Sequence, residues 1–187
     1  MALCDILIDA NIQASCENPM FGGYEQLGWI INKSDVANTT IEEGVVSAIS
    51  LKEGAKAYQI QSMGGQPTPT TQTFVKGNFA NKWNNVVTMT LLDNGIEAYN
   101  NVIKPMASGA KFVVILEHSR RNADGTLLFE VFGLSKGLTL QDGASREEYN
   151  EDLGGGWNLP LEENGAPTPS YFITDKSIVE GLETPAV

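Results

Sequence analysis

Short runs of β-branched and aromatic residues, separated by Gly, Asn, Asp and Pro, recur along the chain at strand length. Trp29-Ile30-Ile31, after the Gly-rich turn Phe21-Gly22-Gly23, predicts an early strand. Val46, Ala48 and Leu51 mark a second, with Ser47 and Ser50 partly out of phase. Tyr58 and Ile60 face one way in one run and Phe74 in the next, with residues 62–71 between them. Pro67 and Pro69 cannot donate to a ladder, so these runs are expected to form a long hairpin with 62–71 as its flexible tip. Residues 83–92 predict a further strand through Val86-Val87-Thr88-Met89-Thr90-Leu91.

The period then changes. Ile96, Tyr99, Val102, Ile103 and Met106 fall at helical spacing, with Asp93 where an N-cap would stand and Gly109 as a stop. One α-helix over about 94–106 is expected, its apolar stripe facing the core and its end or a distortion near Pro105. Residues 111–118 are nearly continuously apolar and are answered by 126–132 across Arg120-Arg121-Asn122-Ala123-Asp124-Gly125, where Asp-Gly signals a reversal. Gly133 and Gly137 bracket an expected kink before Leu138-Thr139-Leu140, and Pro160 suggests an edge position for a strand at 157–161. No repeat or composition shift divides the chain. The expectation is a mainly β fold, a β-sandwich or open barrel with one inserted helix, in a single domain over 1–187. Residues 1–24 read as an extended N-terminal segment and 162–187 as a C-terminal strand and tail.

Composition narrows the function classes. The 187 residues carry 12 Lys plus Arg against 23 Asp plus Glu, a formal charge of -11. Such a surface is not built to hold phosphate backbones or anionic membranes. No apolar run approaches the ~18 residues that would span a bilayer, and the opening Met1-Ala2-Leu3-Cys4-Asp5 lacks a basic leader region, so a cytoplasmic origin is expected. The single histidine, His118, ends an apolar strand and reads as a rim residue. Cys4 and Cys16 form no C-x-x-C pair and read as two reduced thiols. Met63-Gly64-Gly65-Gln66-Pro67 and Gly154-Gly155-Gly156 lack the Lys-Ser/Thr or the helix of a phosphate cradle. The acidic positions Glu147, Glu148, Glu151 and Asp152 lack calcium-loop order and read as a solvated loop. No base–nucleophile or metal constellation stands out, so neither an enzyme nor a cofactor is expected.

The order of elements from about residue 73 to 161 carries a resemblance. Val86-Val87-Thr88-Met89-Thr90-Leu91-Leu92-Asp93 leads into the helix, and Phe112-Val113-Val114-Ile115, Asn122-Ala123-Asp124-Gly125 and Leu128-Phe129-Glu130-Val131-Phe132-Gly133 form the hairpin after it. This arrangement resembles the tail-tube (major tail) proteins of long-tailed bacteriophages and, more distantly, the tube proteins of contractile injection systems. The resemblance implies a virion protein, assembled in the bacterial host cytoplasm. It would form rings, usually hexameric, that stack into a tube with other tail proteins. DNA would pass as cargo that the acidic lumen does not hold. On that reading the hairpin over 58–76 joins a shared inner barrel. Met63, Gly64, Gly65, Gln66, Pro67, Thr68 and Pro69 form the self-assembly loop that orders against the next ring. An ordinary mobile hairpin tip is the plain alternative for the loop.

Two other readings stay open from the sequence. One is a different head–tail or baseplate structural protein. The other is a monomeric β-sandwich that binds a small molecule, with Trp29, Trp83 and Trp157 lining its pocket; aromatics spread through a β protein are more often core.

Overall fold

The computed structural model describes residues 23–61, 68–78, 80–121, 127–147 and 155–186. β1 (Tyr24–Asn32), β2 (Val36–Glu42), β3 (Val45–Leu51) and β4 (Tyr58–Gln61) precede β5 (Thr70–Val75) and β6 (Lys82–Leu91). A helical segment follows: α1 (Ile96–Ala98), a π-helical turn (Tyr99–Ile103) and α2 (Lys104–Ala107). β7 (Phe112–Arg121), β8 (Leu127–Phe132), β9 (Thr139–Leu140), β10 (Ser145–Glu147), β11 (Gly156–Ala166), β12 (Tyr171–Ile173) and α3 (Lys176–Gly181) complete the order. The larger sheet runs β2-β3-β12-β8-β7-β1-β4, and the smaller runs β10-β11-β6-β5 with β9 beside β11. The fold is mainly β, as the alternation of short apolar runs predicts.

The continuous apolar run at 112–116 has a simple cause: β7 is buried on both faces. Phe112, Val114 and Leu116 meet Val87, Met89, Leu159 and Leu161 between the sheets. Val113 and Ile115 meet Trp29, Phe129 and Val131 on the other face, which Val179 and Leu182 of the α3 end close over. A strand with no wet face has no polar alternation to show. Full burial of side chains of this size contributes about 1.5–3 kcal/mol each. The kink after β8 falls where the glycines mark it. Gly133 and Gly137 take φ of 82° and 87°. A Cβ on Gly133 would stand 2.5 Å from the Phe112 carbonyl oxygen. The bend brings Leu138 back against Phe112, and the two exchange backbone hydrogen bonds of 2.9 and 2.8 Å.

Several expectations need correction. The long hairpin over 58–76 does not form: β4 pairs with β1 in the larger sheet, while β5 pairs with β6 in the smaller. The segment between them is a crossover from one sheet to the other, and Thr70 and Thr71 already belong to β5. Period-2 patterning finds strands but does not choose their partners. Pro160 is not on an edge strand, because β11 has β6 on one side and β9 and β10 on the other. The Pro160 carbonyl accepts from Gln141 N–H, so the missing donor also points to the β9–β10 side. There it falls between the residues paired to β10 and those paired to β9, and the β6 ladder is spared. β11 itself continues through Ala166, so the tail proper begins later than 162, and it contains the helix α3. Asp175 caps α3 by accepting from Ser177 N–H at 2.9 Å.

The inserted helix lies where its spacing predicts but differs in detail. Its N-cap is Gly95, and Asp93 accepts from Gly95 N–H one step earlier. Pro105 lacks an N–H and its ring crowds the carbonyl four residues back, and the turn before it widens to the i→i+5 pattern. That extra residue, together with the position of the first turn at the rim, divides the apolar stripe. Ile103 and Met106 are buried, whereas Ile96 is 76% and Tyr99 50% exposed.

Candidate assembly interface

Among the described residues there are few groups with reactive chemistry and several strand edges without a partner. β2 and β4 end the larger sheet, and β5 and the short, charged β10 end the smaller one. β5, Thr70-Thr71-Gln72-Thr73-Phe74-Val75, carries no charge and exposes Phe74 and Val75. Phe74 meets Trp83 of β6 edge-on at 5.3 Å between ring centres. β2 and β3 form a hairpin whose charges over 36–51 are Glu42 and Glu43, at the turn. Most of β2 is exposed on both faces, Ile41 included. Native edges are ordinarily guarded by Lys, Pro or a covering element, because an open edge templates pairing with another chain. The body of each of β2, β4 and β5 has no such charged guard.

Beside the β4 edge the sandwich opens into a groove of about 820 Å³. Ile60 and Tyr58 of β4, Met89 and Leu91 of β6, and Val102 and Met106 of the helical segment form its apolar walls. Asn32, Gln59, Thr90, Asn100 and Asn101 supply neutral polar groups, and no charged side chain lines it. Trp29, Trp83 and Trp157 do not line this groove. Trp29 is core and donates to Glu183 at 2.7 Å, Trp83 packs edge-on against Phe74, and Trp157 lies under Arg146.

Two polar ties hold the rim in shape. Glu130 sits on the inner face of β8 at 5% exposure. Its carboxylate accepts from Tyr24 O–H, Ser170 O–H at 2.5 Å and Gln72 N–H at 2.7 Å. Gln72 lies on β5, so this carboxylate ties the edge of the smaller sheet to the larger one. Burial, followed by the Glu130 contact, holds the Tyr24 hydroxyl above the ordinary tyrosine range. His118, half-buried at the rim, packs edge-on against Tyr24 at 5.1 Å. Glu183 is the second tie. It accepts from Trp29 and from Gln59 of β4, both at 2.7 Å, and these bonds hold its carboxyl below the usual range. A third carboxylate, Glu163, is buried under Lys136 N–H and Asn85, where Asn85 Oδ1 and Thr168 Oγ1 lie buried without a protein partner.

Of the loop residues singled out from the sequence, Met63, Gly64, Gly65, Gln66 and Pro67 lie outside the described residues. Thr68 is half-buried and Pro69 exposed, and the Pro69 carbonyl accepts from Thr88 N–H at 2.9 Å as the chain enters β5. Cys4, Cys16, the 122–125 turn and most of the acidic run at 147–152 lie outside as well. The β2–β3 hairpin and Glu130 were not singled out. The signal for Glu130 is a carboxylate at an inward phase within Leu128-Phe129-Glu130-Val131-Phe132; the signal for β2 is a neutral strand in an acidic chain. Among the described residues no group of three or more His, Cys, Asp or Glu is placed to hold a metal ion. No described helix is long and apolar enough to cross a membrane. No family model, curated protein or solved structure matches the chain.

Proposed function

We propose that this chain is a structural subunit that assembles with itself into stacked rings, as the tail-tube protein of a bacteriophage does, for DNA to pass through. The observation that supports this most is that, among the described residues, three of the four end strands, β2, β4 and β5, are uncharged along their bodies, while the fourth, β10, carries Arg146 and Glu147. In a monomer uncharged edges are a liability; in a closed ring each edge finds a partner and none is left over. The order of strand, helix and hairpin over 73–161 supports the same reading by its resemblance to tail-tube proteins. The charge of -11 suits a channel along which DNA slides without adhering. On this proposal the protein works in the virion after assembly in the host cytoplasm, with other tail proteins as neighbours. It takes no cofactor and no part in catalysis, and residues 63–69 order against the next ring.

The deciding measurement is the mass of the purified protein over a wide range of concentration, with negative-stain imaging of the heaviest fraction. Rings or tubes with a central channel are expected. A compact dimer without a channel would count against the ring. The groove of about 820 Å³ favours one other reading, a monomeric module for a neutral amphipathic molecule. A protein that stays monomeric and binds such a molecule saturably would select that reading.

A further inference from the structure

The two open edges of the larger sheet differ in a way that fixes how one copy can meet the next. Along the order β4-β1-β7-β8-β12-β3-β2, every step is antiparallel except the parallel step from β12 to β3. Five reversals separate the ends, so β2 and β4 run in opposite senses. A copy related by rotation about an axis along the strands keeps its strand senses. Its β2 would therefore lie antiparallel to β4 of its neighbour, the pairing that strands make most readily. The strands themselves are uncharged where they would touch, β2 from Val36 to Ile41 and β4 from Tyr58 to Gln61, and no charged side chain lines the groove; the nearest charges at β4 are Lys56, over the Tyr58 ring at 5.4 Å, and Glu183, bonded to Gln59. In a chain of net charge -11, a neutral strip on each side is where two copies approach with least repulsion.

The backbone of β2 is ready for such an addition. Thr39 N–H, on the edge strand β2, donates to the Asn38 side-chain oxygen at 2.9 Å, an exchangeable local contact.

We infer that β2 of a second copy adds to the β4 edge, with side chains of its hairpin lying over the neighbouring groove, so that the larger sheet continues from copy to copy. The inference rests on the ring reading and names its seam. The contact is heterologous: a donor edge at β2 and an acceptor edge with groove at β4, the arrangement that closes rings.

Two variants separate the halves of the contact. Thr39→Pro removes a backbone donor from β2, the end strand of the sheet, where Pro is tolerated. Tyr58→Glu places a charge at the half-exposed mouth of the neutral groove. Each variant alone is expected to keep the wild-type circular dichroism spectrum and to stop at the monomer by light scattering. Mixed in equal amounts, they retain one intact donor and one intact acceptor, and are expected to give a dimer that grows no further. Wild-type rings with both variants assembling as well would overturn this seam and leave the ring reading standing. A mixture that restores full rings would overturn it too, because a single rescued contact cannot close a ring. A wild-type protein monomeric at every concentration and salt level would overturn both the seam and the ring.

Discussion

Glu130 shows how one residue sets a local architecture. Leu128 to Phe132 is a core strand in which every neighbour on the inner face is apolar, yet a carboxylate stands there and is satisfied by hydroxyl and amide donors from β1, β5 and the 170 region. Hydrogen bonds to a charged acceptor contribute about 1.5–3 kcal/mol each, set against the cost of burying the charge. Tyr24 is the donor whose titration reports on this corner. Its proton is held more tightly in the folded protein than in the unfolded chain. Above about pH 10 the unfolded chain loses that proton while the folded protein keeps binding it, so stability falls as pH rises beyond that point. Tyr24→Phe should cost about 1–2 kcal/mol at neutral pH and should flatten the alkaline decline, as read from urea unfolding at several pH values. An unchanged alkaline slope would show that another group sets it.

At the scale of elements, the helical segment separates spacing from burial. Its stripe was legible because apolar residues at 96, 99, 102, 103 and 106 fit a helix. Which of them are covered depends on the π turn before Pro105 and on how far the first turn projects past the sheets, and neither is a property of the spacing. Ile103→Ala should lower stability by about 2–4 kcal/mol, because the residue is buried in the core cluster with Val87, Met89, Phe112 and Val114. Ile96→Ser and Tyr99→Ser should each stay within about 0.5 kcal/mol. Urea midpoints of the three variants check this; an equal loss for Ile96→Ser would place that side chain in a packed environment. The strand pairings make the same point. β4 and β5 are each readable as strands, but they pair with β1 and β6 in different sheets, partners that the local pattern does not name.

For the whole molecule, charge and edges act against each other. In the proposed assembly, a net charge of -11 repels identical copies, while the uncharged edge strands are where they would meet. Salt shortens the reach of the repulsion from about 10 Å at 0.1 M to about 3 Å at 1 M and leaves strand pairing largely untouched. The concentration at half-assembly is therefore expected to fall several-fold as salt rises across that range, measured by light scattering. Dissociation by salt would show instead that ion pairs across the seam hold the copies together.

The sequence by itself determined the class of fold, most strand positions, the inserted helix and the kink at Gly133. These depend on local periodicity, on glycine's access to positive φ and on the need to bury a long apolar run. It also determined the balance of charge. Tertiary structure alone decided which strands share a sheet, that 62–69 joins two sheets, and that Ile96 and Tyr99 stay outside the core. It alone set the opposite senses of β2 and β4 at the two limits of one sheet. Those outcomes depend on partners distant in sequence, chosen by the total of ladder bonds and buried area over the whole molecule, which no local pattern encodes.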